Sequence, residues 1–174
     1  ISHSAPTPPT EYTAPSEIPR FQPFLAACKL QAPTSSTLRA KDALSGYSHP
    51  DWFKVVDRDK ILFNQTGDSR RTELRNETNW DLTQANRSLH ASLDIVEQTC
   101  DQVTVLQIHD DANVGDGPNK PLLRIYKQQS RTPANHIWAA IKTDDGGSNT
   151  AHDALGEDPG GYFKCEIRMV DGNM

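Results

Sequence analysis

Ser88-Leu89-His90-Ala91-Ser92-Leu93-Asp94-Ile95-Val96 alternates Leu89, Ala91, Leu93 and Ile95 with His90, Ser92 and Asp94. Alternation with a period of two puts the apolar set on one face of an extended strand, so this stretch predicts a half-buried β-strand. Working outward, residues 103–109, 122–127, 137–141 and 162–170 read as further strands. In the last of these, apolar Phe163, Cys165, Ile167 and Met169 alternate with polar Lys164, Glu166 and Arg168. Turn signals separate the runs at Asp116-Gly117-Pro118, Asp145-Gly146-Gly147, Pro159-Gly160-Gly161 and Asp171-Gly172. Short strands punctuated by Gly and Pro predict an all-β fold, a two-sheet antiparallel sandwich or β-jelly roll. One short helix is expected at 36–44, and no internal repeat is visible.

A chain of 174 residues is long enough for one sizeable core and short for two ordinary domains. Its 35% hydrophobic and 7% aromatic content is low for a compact globule, and part of that deficit lies in the Pro-, Ser- and Thr-rich start. Residues 1–19 are therefore expected to be extended or mobile, with a single β domain over 20–174. There is no run of about 18 apolar residues, so no membrane-spanning helix and no membrane partner are expected. A secreted, mature chain fits the absence of a charged-then-apolar leader at Ile1.

Cys28, Cys100 and Cys165 match no metal-ligand spacing, and they read either as buried thiols or as two partners of a disulfide with one left over. Three glycosylation sequons begin at Asn64, Asn76 and Asn86 and hint at a secreted origin. The segment from Asp110 to Gly117 invites a calcium-loop reading, but its glycine falls one position early for an EF-hand, and no metal is expected. A net charge of −5 argues against nucleic acid as a partner. It leaves a local positive field open, for which Arg70, Arg71, Arg75, Arg124 and Lys127 are the candidates.

Two short segments place functional polar groups at every second position. In Arg71-Thr72-Glu73-Leu74-Arg75 the two arginines and Glu73 share one strand face, and in Gln107-Ile108-His109 the amide and imidazole share another. Guanidinium holds a carboxylate bidentately and imidazole moves a proton near neutral pH, so the set suits an anionic, hydroxyl-rich ligand in a polar groove. Each also has an ordinary reading, a ladder of surface ion pairs for the first segment and a hydrogen-bonded strand histidine for the second. His49, His90, His136 and His152 carry no special reading.

RTELR followed by QIH resembles the first two signature motifs of the alginate lyases of polysaccharide lyase family seven, and the stretch from Lys29-Leu30-Gln31 onward is compatible. The resemblance implies a jelly roll whose concave sheet binds a polyuronate such as alginate and cleaves it by β-elimination, with no cofactor, in a chain expected to be a monomer. It implies catalytic roles for Arg71, Gln107 and His109, and substrate-binding or positioning roles for Glu73 and Arg75. The isoleucine of QIH resembles variants associated with guluronate-containing substrate. The family's third signature, of the form YFKxGxYxQ, carries a catalytic tyrosine. Here Tyr162-Phe163-Lys164 imitates only its start, so the strand around Phe163 is expected away from the catalytic centre and the domain is expected to continue past Met174. A lyase for another polyuronate such as glucuronan, or a non-catalytic carbohydrate-binding jelly roll, remains open on the same residues.

Overall fold

The structure, a computed structural model, describes residues 11–34, 37–39, 44–67, 70–78, 80, 86–111, 117 and 119–170. The fold class is all-β, as expected, and every strand pairing is antiparallel. The chain divides into two compact units, residues 1–79 and 80–174.

The first unit begins with short turns rather than an extended segment. Pro15–Glu17 and Pro19–Phe21 form 3-10 turns, and Ala14, Pro15 and Ile18 are buried. The physical reason is a local cap: the Glu17 carboxylate accepts hydrogen bonds from the Thr13 and Ala14 amides at 2.7 and 3.3 Å, which holds it below its ordinary carboxylate range. Within the stretch expected to be extended or mobile, residues 15–17 thus form a capped turn, and residues 1–10 lie outside the described residues. A five-residue helix α1 (Gln22–Ala26) leads into β1 (Cys28–Gln31).

Strand β1 lies between β2 (Thr37–Arg39) and β5 (Glu73–Asn76). In its register Leu30 faces Leu38 on one side and Leu74 on the other. This row of leucines continues into a core of Leu25, Ala32, Leu44, Trp52 and Phe53. Leu38 packs against this core and residues 37–39 form a strand where a helix had been expected over 36–44, while residues 36 and 40–43 lie outside the described residues. A two-stranded hairpin, β3 (Phe53–Val56) and β4 (Lys60–Phe63), turns through Asp57 and Arg58, both at positive φ.

The second unit has two sheets. One pairs β6 (Arg87–Leu93) with β11 (Phe163–Met169). The other is four-stranded, in the order β10 (Thr150–Glu157), β9 (His136–Lys142), β8 (Pro121–Gln128), β7 (Gln102–His109). Apolar residues of both sheets meet in one cluster: Leu89, Cys165 and Ile167 from the pair, and Ile108, Leu123, Ile125, Ile137 and Ala139 from the four. The alternation at 88–96 is thus explained, because β6 turns Leu89 inward and leaves Ser88 and His90 exposed. Strand β10 ends the four-stranded sheet, with a register shift between Ala154 and Gly156 and an exposed Leu155. Among the described residues, no helix is long and apolar enough to cross a membrane.

The three cysteines are free thiols: Cys28 is buried, Cys165 half-buried and Cys100 exposed. Burial, helped by the nearby Glu77 carboxylate, pushes the Cys28 thiol up to about 12.

Candidate active site

In the first unit the RTELR segment straddles the start of β5. Leu74 points into the core, so its strand neighbours Glu73 and Arg75 occupy the opposite face, where they pair in register with Gln31 and Lys29. Arg71 precedes the strand and reaches the same side, its Nη1 3.6 Å from Glu73 Oε2. The Arg71 side chain is 55% exposed, whereas that of Glu73 is 22% exposed. Glu73 therefore lies beside a guanidinium that still faces solvent. Thr72 is turned away and donates its hydroxyl to the Asn64 carbonyl at 2.6 Å. Beside Glu73, the buried Oε1 of Gln31 has no hydrogen-bond partner, an acceptor that sequence reading did not single out.

In the second unit the QIH segment ends β7. Ile108 packs in the intersheet core, so Gln107 lies on the outer face of the four-stranded sheet, and His109 follows at the end of the strand, past a shift in its register against β8. His109 Nδ1 is 2.6 Å from the Asp110 carbonyl oxygen. A carbonyl only accepts, so Nδ1 carries the proton and the lone pair of the neutral ring sits on Nε2. That leaves an imidazole with its basic nitrogen turned away from its backbone tether.

The register assembles more of this outer face. Gln107 pairs with Arg124, Arg124 with Ala140, and Ala140 with His152, one row across all four strands. The adjoining row runs through Thr104, Tyr126, Trp138 and Ala154. Lys142 shares the face and donates to the Thr150 hydroxyl at 2.8 Å. Tyr126 is 1% exposed and its hydroxyl lies 2.8 Å from His152 Nδ1. The Arg124 guanidinium stands 6.0 Å from the Tyr126 ring centre, and that of Arg131 stands 5.0 Å from the ring of Trp138. Burial lowers the His152 imidazole below its ordinary value, and Arg131, Arg124 and Lys142 lower it further against the pull of Asp153. Burial also raises the Tyr126 hydroxyl, against Arg131 and Arg124. Both groups are thus neutral near pH 7, and the phenol can donate to Nδ1.

Two expectations are revised here. Lys127, one of the candidates for a positive field, is tied to the buried Asp158 carboxylate at 2.5 Å. His152, given no special reading, is part of the polar face. No local string signals it, because only the pairing of β8, β9 and β10 brings His152 to Tyr126. Strand β11, which carries Phe163, pairs with β6 in the sheet that does not hold Gln107 and His109. The glycine-containing loop after Asp110 lies partly outside the described residues. Asp110 Oδ2 accepts the Asn119 amide at 2.9 Å, and a β-carbon on Gly117 would collide with the same carboxylate.

The chain belongs to the alginate lyase family, whose sequence model, described as Alginate lyase, matches residues 25–174, and it is accordingly a polysaccharide lyase. A crystal structure of an alginate lyase from Pseudomonas aeruginosa is similar, with a TM-score of 0.66 at 22% identity over 84% of this chain and 73% of that one. At that identity the likeness speaks for the fold. Among curated proteins, none matches this chain in sequence.

Proposed function

We propose that this protein depolymerises alginate by β-elimination, with a preference for guluronate-containing stretches. The observation that carries the reading is the His109 tether: Nδ1 bound to the Asp110 carbonyl leaves Nε2 as the base. For a uronate unit we assign Arg71 the charge that offsets the carboxylate and Gln107 a hydrogen bond to it, which together would stabilise the charge that develops when the proton on the adjacent carbon is removed. His109 Nε2 takes that proton. The electron pair left behind forms the new carbon–carbon double bond, the glycosidic carbon–oxygen bond at the β position breaks, and the departing oxygen is protonated by an acid. Glu73 positions Arg71 through their ion pair, and Arg75 binds a neighbouring uronate. No water is added and no cofactor takes part. The protein acts as a secreted monomer on an anionic polysaccharide.

The test is an assay of the unsaturated product by ultraviolet absorbance with alginate, polymannuronate, polyguluronate and glucuronan in turn. A rise with alginate that is fastest on polyguluronate is the expected result. Activity confined to glucuronan would move the substrate. Binding of alginate without any absorbance change would identify a non-catalytic carbohydrate-binding module.

A further inference from the structure

We infer that Arg124 and His152 form a second uronate-binding subsite on the outer face of the four-stranded sheet, with buried Tyr126 as the residue that positions both. This inference rests on the polyuronate reading above and extends it to a sugar unit beyond the one at His109.

Three observations converge on it. Gln107, Arg124, Ala140 and His152 stand in register across four adjacent strands, a span of about 14 Å at ordinary strand spacing, which exceeds one sugar ring. Between Arg124 and His152 the intervening strand contributes only the methyl group of Ala140, so no bulky side chain parts the two polar groups. Tyr126, fixed in the sheet and 1% exposed, meets both. Its ring lies beneath the Arg124 guanidinium at 6.0 Å, and its hydroxyl holds His152 Nδ1 at 2.8 Å with the rings edge-on.

The chemistry follows from the tether. A phenol that donates to Nδ1 places the ring proton of His152 on Nε2, where it becomes a donor to a carboxylate or hydroxyl oxygen. Arg124 brings a planar set of donors suited to a carboxylate. Lys142 and Arg131 add positive charge to the same face, which favours an acidic sugar over a neutral one. The His152 ring, already held by the Tyr126 hydroxyl, loses less freedom on binding than a mobile surface group does, so this half of the subsite is preorganised.

The experiment measures kcat and KM on oligouronates of increasing length for the wild type, His152→Ala, His152→Gln, Arg124→Gln and Tyr126→Phe, with near-ultraviolet circular dichroism as the fold control. For His152→Ala and Arg124→Gln, KM on the longest oligomer should rise about ten- to a hundredfold, the range of a lost charge-assisted hydrogen bond, while kcat is retained. The effect should shrink as the oligomer shortens and vanish on the shortest one that is still cleaved. Tyr126→Phe, which keeps the ring under Arg124 and frees His152, should give a smaller rise in KM. His152→Gln, which restores a donor, should recover part of the loss. A KM unchanged on every length, an equal loss on all lengths, or a loss confined to kcat would overturn the subsite. Wild-type enzyme that cleaves no polyuronate would overturn the underlying reading instead. Should Tyr126→Phe fail to fold, the half-exposed His152 and Arg124 variants decide the matter alone.

Discussion

Lys127 and Asp158 form a buried ion pair: Nζ stands 2.5 Å from Oδ2, with side chains only 16% and 4% exposed. Asp158 Oδ1 also accepts the Gly160 amide at 3.0 Å, so the pair anchors the turn that leads into β11. Removing one partner strands a charge in a poorly solvated place. Lys127→Met should therefore destabilise the fold by about 3–5 kcal/mol, measured by urea denaturation, and a loss below about 1 kcal/mol would show that Asp158 finds another partner.

Acidification should weaken the fold in two separable stages. Burial raises the Asp158 carboxyl, but the Lys127 and Gly160 hydrogen bonds outweigh it and hold the group below its ordinary value. Its stabilisation is present above about pH 3.9, the unfolded value, and is lost as pH falls through the lower folded one. The His152 imidazole is also depressed, by burial first and then by Arg131, Arg124 and Lys142. Unfolded chain binds that proton more readily, so stability declines as pH falls below about 6.5, by a modest amount because the ring is only partly covered. Melting temperatures should decline slightly below pH 6.5 and steeply below pH 4. His152→Gln should abolish the first stage alone.

His109→Ala should lower kcat by about a hundredfold or more with an unchanged near-ultraviolet spectrum, since proton abstraction by a positioned base contributes on that order. Retained turnover would return His109 to an ordinary strand histidine.

Glu73→Gln removes the carboxylate that orients Arg71, yet the pair is largely exposed at the Arg71 end. Stability should change by less than about 1 kcal/mol while turnover on alginate falls, because the guanidinium is no longer held. A change in stability without a change in turnover would make the pair a structural contact only.

The thiols should react in order of exposure. Cys100 should react with a disulfide reagent in the folded protein, Cys165 more slowly because burial raises its thiol, and Cys28, pushed up to about 12, only when denaturant opens the first unit. Simultaneous labelling of Cys28 and Cys100 in native buffer would show that the first unit opens readily.

Much of the β architecture was legible because its core strands carry clean alternation. Residues 88–96 and 162–170 gave β6 and β11 to within a few residues, for each has one face against the intersheet core. Strand β10 was not read, since Thr150 to Glu157 lies at a sheet edge, exposes most of its side chains and contains a glycine, so burial imposes no period on it. The β3–β4 hairpin was hidden by its turn, where Asp57 and Arg58 adopt the positive φ usually marked by glycine or asparagine. In the candidate site, RTELR and QIH were visible as local strings with parity. Tyr126 and His152 were not, because 26 residues separate them and only the register of three strands brings them together.

The irregular edge at β10 bears on how the molecule behaves in company. A regular outer strand offers a ladder of unpaired amides and carbonyls on which another chain can grow. Here the register shifts between Ala154 and Gly156, and Asp153 and Glu157 stand exposed on either side. Among the described residues β10 is the outer strand of its sheet, and there the bulge breaks the hydrogen-bonding repeat while the two carboxylates disfavour the approach of another acidic copy to the exposed Leu155.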